Sequence, residues 1–268
     1  MNYFCAMGIL KKWKNRNAAR KFSADQLELL KSQPRFIAGT IEYDGKAFNY
    51  HDAQCFYDSY QEILHDEMYR FDTNHKNPVI IDCGANMGVS VLFFAKAYPQ
   101  ANIIAFEPEE EIYDILEKNI KTYGLENINL HKKAVWTSET TLEFFTDHGM
   151  GGSVENVYRK QIPTLVKTVR LADFLQQPVS LLKMDIEGAE YDVLKDCEQY
   201  FQNIENMFVE YHSFDKKEQH LDDLLSMLKK AGFRYHLRQS FSRKKPFIDR
   251  KKVCENIDMA INVFAYRS

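Results

Sequence analysis

Residues 79–88, V-I-I-D-C-G-A-N-M-G, constrain the fold more than any other stretch of the chain. An apolar run ends in an acid, passes through a turn bounded by two glycines and continues into the apolar segment V-S-V-L-F-F-A-K-A. A buried strand that turns this tightly into a helix opens a parallel α/β sheet, and it aims backbone N–H groups and a helix N-terminus at one small volume. The same grammar repeats beyond Pro78. Strands are expected at 79–82, 102–106, 128–135, 180–185 and 204–211, with helices near 88–98, 109–123, 188–202 and 217–231. Two further strands, 234–241 and 256–266, follow Gly232, and segments 141–145 and 166–170 read as an inserted strand pair around the glycine-rich stretch 149–152.

With 268 residues the chain has room for one large α/β domain and an extension. Segment 35–51 reads as a β-hairpin turning at Asp44-Gly45, a dipeptide that tolerates positive φ. In 53–69 the side chains of Phe56, Tyr60, Ile63, Leu64 and Met68 recur at spacings of three and four, so a helix is expected that packs on the domain or lids its cleft. The division is therefore 1–52, a basic segment and hairpin, and 53–268, the main domain with its capping helix. Segment 11–21 holds six cations and no acid beside Trp13. Two readings stand for residues 1–21: contact with an anionic membrane surface, or a solvated basic terminus. The apolar run 3–10 is too short to span a bilayer and has its positive charges after it, unlike a secretory signal.

A net charge of −3 argues against DNA as a partner. Cys5, Cys55, Cys83, Cys197 and Cys254 are widely spaced and form no C-x-x-C pair, which points to a reducing, cytoplasmic setting. Peripheral attachment at the inner membrane face through residues 1–21 fits the same setting.

The glycine turn selects among cofactors. A dinucleotide fingerprint needs glycine at 84, 86 and 89, but the chain has Gly84, Asn86 and Val89, and no Gly-Lys-Ser/Thr follows for a P-loop. What remains, Asp82-x-Gly84-Ala85-Asn86-x-Gly88, suits a cofactor without a diphosphate. S-adenosylmethionine is such a cofactor. Glu107 ends the next strand and offers a carboxylate to both ribose hydroxyls, a contact that would repel the 2′-phosphate of NADP. Asp82 is expected to orient the turn and meet the cofactor's ammonium, and Ser90 to hydrogen-bond its carboxylate. Against this, a glycine turn is often only a tight βα connection, and an acid after a strand is often a helix cap.

These residues resemble the FkbM-type S-adenosylmethionine-dependent methyltransferases. The resemblance runs over about 53–265 through Y-D-S-Y-Q-E-I (57–63), I-I-D-C-G-A-N-M-G (80–88), F-E-P (106–108), K-A-V (133–135), G-G-S (151–153), L-L-K-M-D-I-E-G-A-E (181–190) and V-E-Y-H (209–212). It implies a Rossmann-like class I methyltransferase fold with a seven-stranded, mostly parallel sheet, helices on both faces and an antiparallel last strand. It also implies Pro108, Ala134 and Asp185 as further cofactor contacts, and methyl transfer to an oxygen of a sugar or other small molecule.

Ligands of open parallel sheets bind at the carboxyl ends of the strands. There Lys183 and Asp185 share one side of a central strand, and a buried lysine needs a carboxylate partner from Asp185, Glu187 or Glu210. Methylation of a weakly acidic hydroxyl needs a base. Candidates are Asp185, Glu187 and His212, the last as a neutral imidazole, with Glu210 as orienter. Helix capping competes for Glu187 and a backbone-satisfied role for His212. Asp185, Glu187 and Glu210 also offer hard ligands to magnesium, but spacing alone assigns no metal. Segment 234–252 holds Arg234, Arg238, Arg243, Lys244, Lys245, Arg250, Lys251 and Lys252 against the single acid Asp249. It reads either as a grip on a phosphate-bearing acceptor or as a solvated loop. An RNA acceptor would use the same cations but finds no RNA-binding module here, and a noncatalytic cofactor-binding protein is the remaining alternative.

Overall fold

The structure is a computed structural model and describes residues 22–146, 152–153, 163–215, 217–248 and 257–267. The expectations for 1–21 and most of those for 149–152 and 249–252 lie outside the described residues. In chain order the elements are α1 (Ala24–Ser32), β1 (Gly39–Tyr43), β2 (Lys46–Tyr50), α2 (Ala53–Ser59), β3 (Val79–Cys83), α3 (Val89–Ala97), β4 (Asn102–Phe106), α4 (Glu110–Tyr123) and β5 (Ile128–His131). There follow β6 (Ala134–Trp136), β7 (Thr141–Thr146), β8 (Gly152–Ser153), β9 (Thr164–Arg170), β10 (Val179–Met184), α5 (Glu190–Cys197), β11 (Ile204–Phe214), α6 (Leu221–Lys230), β12 (Arg234–Ser242) and β13 (Ile257–Tyr266).

Seven strands form the main sheet in the order β12-β13-β11-β10-β3-β4-β5. The five from β11 to β5 are parallel, while β13 runs antiparallel to both β11 and β12. This is the mostly parallel seven-stranded sheet with an antiparallel last strand that the resemblance implies. The chain leaves β3 towards β4 and β5, then returns to β10 and builds outward the other way. A crevice therefore opens between the carboxyl ends of β3 and β10. All six residues of β10 are buried, as a strand covered on both faces requires. Val193 and Leu194 of α5 with Leu224 and Leu228 of α6 cover one face, and Val91 and Phe94 of α3 with Leu116 of α4 cover the other.

The hairpin is fastened to the domain rather than hung from it. Phe22, Tyr43, Phe48, Phe56 and Tyr60 pack with Met87, Val89 and Leu92 into one core. Phe56 is fully buried there, and its truncation to alanine would cost about 3–5 kcal/mol.

Three elements depart from expectation. The helix expected over 53–69 is regular only to Ser59 and then widens into a π turn over Tyr60–His65, marked by the bond from Asp66 N to Gln61 O at 2.9 Å. The wider turn lets Tyr60 enter the aromatic core around Phe22 while Ile63 and Leu64 reach the α3 face of the sheet. The strand expected over 128–135 breaks at Lys132-Lys133, and β6 pairs with β9 in a separate four-stranded sheet. The helix expected over 188–202 begins at Glu190 and tightens to a 3-10 helix at Glu198–Asn203. The sequence reading passed over α1, which starts with a capping box between Ser23 and Gln26.

Candidate active site

The turn after β3 is set by backbone. The N–H groups of Gly84 and Ala85 both donate to the Phe106 carbonyl, at 3.1 and 2.9 Å. Gly84 has φ +84°, and a Cβ there would stand 2.0 Å from the Asp185 carbonyl oxygen, so only glycine lets β3 and β10 approach at this point. Asn86 adopts φ +48° and its N–H donates to Glu107 Oε2 at 2.9 Å, while the Glu109 N–H donates to Oε1 at 2.9 Å. Burial pushes the Glu107 carboxyl up to about 7 against the pull of these two N–H donors.

An open cleft of about 700 Å³ lies beside this turn. Gly84, Asn86, Glu107, Pro108, Ala134, Asp185 and Glu187 line it, together with the apolar side chains of Phe106, Ile112, Phe144 and Ile186. An apolar slot with a carboxylate at its rim has the chemistry to take a base against hydrocarbon and hydroxyls on Glu107.

Four residues expected around the cofactor support the turn from behind. Asp82 is fully buried, Ala85 is 2% exposed, and Gly88 packs against Leu116, where a Cβ would stand 2.5 Å from Cδ1. Ser90 was expected on the cofactor, but its hydroxyl instead donates to Asp82 Oδ2 at 2.6 Å. Lys183 was expected to pair with Asp185, Glu187 or Glu210. Its ammonium lies 3.3 Å from Asp82 and 3.7 Å from Asp185, and it donates to the Gly84 carbonyl at 2.6 Å. Burial opposes its charge, but the two aspartates outweigh it and hold the ammonium up to about 12.

Glu187 follows β10 with φ +59°, a left-handed conformation that a non-glycine residue keeps only when its surroundings demand it. Burial, reinforced by nearby carboxylates, pushes its carboxyl up to about 8, and that of Glu210 up to about 7. His212 faces Glu190 at 3.0 Å, Glu187 at 3.6 Å and Glu210 at 3.9 Å. Burial pulls the imidazole down, yet these carboxylates outweigh it and raise it well above its ordinary value. These carboxylates thus favour the protonated imidazole, whereas the sequence alone suggests a neutral base. Asp185, Glu187 and His212 can each bring a donor atom within 4.8 Å of the others, so they are the residues that could hold a metal among those described.

Sequence reasoning missed Glu190, Glu62 and His51. Glu190 is 1% exposed, accepts from the Ile186 and Gly188 N–H groups and from His212 Nδ1, and is held below its ordinary range because His212 and Gly188 N–H outweigh burial. Its signal was available, since an acid in the first turn of a helix beside a glycine suits backbone N–H capture. Glu62, on the π turn, is pushed up by burial and feels Arg238 and Asp185. His51 leaves β2 and donates from Nε2 to Asn86 Oδ1 at 2.8 Å, while its buried Nδ1 has no hydrogen-bond partner among the described residues. Asn119 completes this link by donating to the carbonyls of Asn49 and Met87.

The sequence profile of the Methyltransferase FkbM domain matches residues 82–235, more than half of the chain. The chain belongs to the FkbM methyltransferase family. It is similar to Methyltransferase sdnD of Sordaria araneosa, 29% identical over 188 residues that cover 56% of this chain and 73% of that protein. It is also similar to the 2-O-methyltransferase NoeI of Sinorhizobium fredii, 25% identical over 156 residues, 50% of this chain and 63% of that protein. Among solved structures it is similar to Methyltransferase FkbM from Methylobacillus flagellatus KT, with a TM-score of 0.48 and 14% identity over 79% of this chain and 54% of that one. As an FkbM methyltransferase the protein uses S-adenosylmethionine. The matched region begins at Asp82, so His51, which bonds Asn86, and Glu62, which feels Asp185, lie outside it.

Proposed function

We propose that this FkbM methyltransferase methylates a hydroxyl oxygen of a sugar or other small-molecule acceptor. The observation that carries the reading is the placement of Asp185 and Glu187 on the wall of the cleft whose other wall bears Glu107. When bound, S-adenosylmethionine supplies an electrophilic methyl carbon. Glu107 would hold the ribose hydroxyls, Phe106, Pro108, Ile112, Ala134 and Phe144 the adenine, and the 84–86 turn the methionyl end.

Glu187 takes the acceptor's proton. A base works best when its pKa lies near the working pH, and burial brings Glu187 to about 8. Asp185, which shares the wall and is tethered to Lys183, orients the hydroxyl. The His212 imidazolium, fixed by Glu190, and the Lys183 ammonium offset the negative charge that several carboxylates bring to so small a volume. Buried Cys55, Cys83 and Cys197 form no disulfide among the described residues, which supports work in a reducing compartment. The test is calorimetry with S-adenosylhomocysteine, followed by isotope-labelled methyl transfer to a panel of sugar and secondary-metabolite alcohols. Cofactor binding with label appearing only on nitrogen or carbon acceptors overturns the reading.

A further inference from the structure

The chain between β12 and β13 carries features that methyl transfer does not use. Arg243, Lys244 and Lys245 precede Pro246, Phe247 and Ile248, and Arg250, Lys251 and Lys252 follow soon after in the sequence. Phe247 is 87% exposed and Ile248 77%. The Ile248 N–H donates to the Lys245 carbonyl at 2.9 Å, closing a turn whose first central position is Pro246, so the two apolar side chains occupy its tip. The base of the loop is anchored. Arg243 is buried and donates to Asp258 Oδ1 at 2.8 Å and to the Ile257 carbonyl at 3.2 Å, while Lys244 and Lys245 stay exposed beside the tip.

Isolated exposed apolar residues are common on proteins and need no explanation. Phe36 and Ile37, another adjacent exposed pair, keep close to half of their surface covered, and their neighbour Arg35 pairs with Asp52. The 247–248 pair differs in being almost bare and in lying within a run of cations. Its location also differs. Because β12 is antiparallel to β13 and β13 to β11, β12 runs parallel to β11 and β10, and the loop leaves the sheet at the end that carries Asp185 and Glu187.

We infer that this loop docks the enzyme on an anionic lipid bilayer, with Phe247 and Ile248 entering the boundary between headgroups and acyl chains and Lys244 and Lys245 against the headgroups. Stable attachment at a membrane surface takes an apolar and an electrostatic contribution together, and the loop brings both. Charge complementarity is local, since the whole chain carries −3. A single-stranded nucleic acid would stack a base on Phe247 but gain nothing from the aliphatic Ile248. Docked this way, the cleft faces the membrane surface, and the acceptor is an amphiphile whose hydroxyl lies at the interface. That last step rests on the proposed O-methyl transfer.

The full chain is sedimented with vesicles of phosphatidylcholine alone and of phosphatidylcholine mixed with phosphatidylglycerol. The wild-type protein is expected to pellet with the mixed vesicles, less so at high salt, and the double variant Phe247→Ser/Ile248→Ser to lose at least about tenfold in partitioning. S-adenosylhomocysteine titration of the same variant, expected unchanged, shows that it is folded and keeps this test separate from that of the methyl-transfer reading. A double variant that pellets like wild type overturns the inference, and so does a wild-type protein that pellets with neither vesicle, whether or not it retains an RNA oligomer.

Discussion

Around the ends of β3 and β4, polar side chains answer to backbone: Glu107 sits between the Asn86 and Glu109 N–H groups, and two N–H groups converge on the Phe106 carbonyl. Around the ends of β10 and β11, charge answers to charge: His212 lies within 4 Å of three carboxylates, two from the turn and helix start after β10 and one from its own strand. The first half can hold a cofactor in one pose because turns fix its geometry. The second can store and release a proton because its protonation depends on shared neighbours. Binding and chemistry are thereby separable, and substitutions in one half should leave the other measurable.

The largest effect is expected at Glu187. Glu187→Gln should lower kcat by about 10²–10⁴ with S-adenosylhomocysteine affinity retained, as calorimetry and steady-state rates will show. Only the ionised form accepts a proton, so wild-type kcat should rise with pH as it climbs through about 8, and the residual rate of the variant should lose that rise. Equal loss of affinity and rate would erase the division between the halves. Next comes Glu107→Ala, for which about a 10- to 100-fold weaker cofactor is expected in calorimetry, at the scale of one or two charge-assisted bonds. Hydroxyl donors prefer the ionised carboxylate, so wild-type affinity should fall as pH drops below about 7, and Glu107→Gln should flatten that dependence.

A smaller effect should follow from His51→Ala. Losing one neutral hydrogen bond to Asn86 loosens the turn by about 1 kcal/mol, roughly fivefold in cofactor affinity, with rescue by His51→Gln. The smallest is chelation. The Lys183 ammonium and the ring of His212 already partner the carboxylates, so EDTA should leave turnover within about twofold of its untreated value. Loss of activity restored by magnesium would assign Asp185, Glu187 and His212 to a metal and give the second half a different logic.

The sequence revealed each feature to the extent that it is local. Strands β3, β4, β10 and β11 were visible as apolar runs, and the Gly84 turn as residue types matched to φ values. The break at Lys132-Lys133 was invisible because β5 and β6 are each strand-like and only their different partners separate them. The π turn hid in a pattern with helical spacing. In the site, Glu107 could be placed from one βαβ unit. The charge environment of His212 could not, because it depends on Glu190, Glu187 and Glu210 meeting in space; for Lys183 the local partner Asp185 was legible, but the nearer Asp82 comes from a different strand.

The contact at Gly84 bears on how this enzyme can move. With the Gly84 Cα against the Asp185 carbonyl, the Asp185 N–H on the Cys83 carbonyl and the Lys183 ammonium on the Gly84 carbonyl, donor platform and acceptor platform behave as a single rigid anvil. A joint tied at three points resists hinging. An opening stroke for product release would then fall to parts laid over the sheet, such as the π turn that carries Glu62.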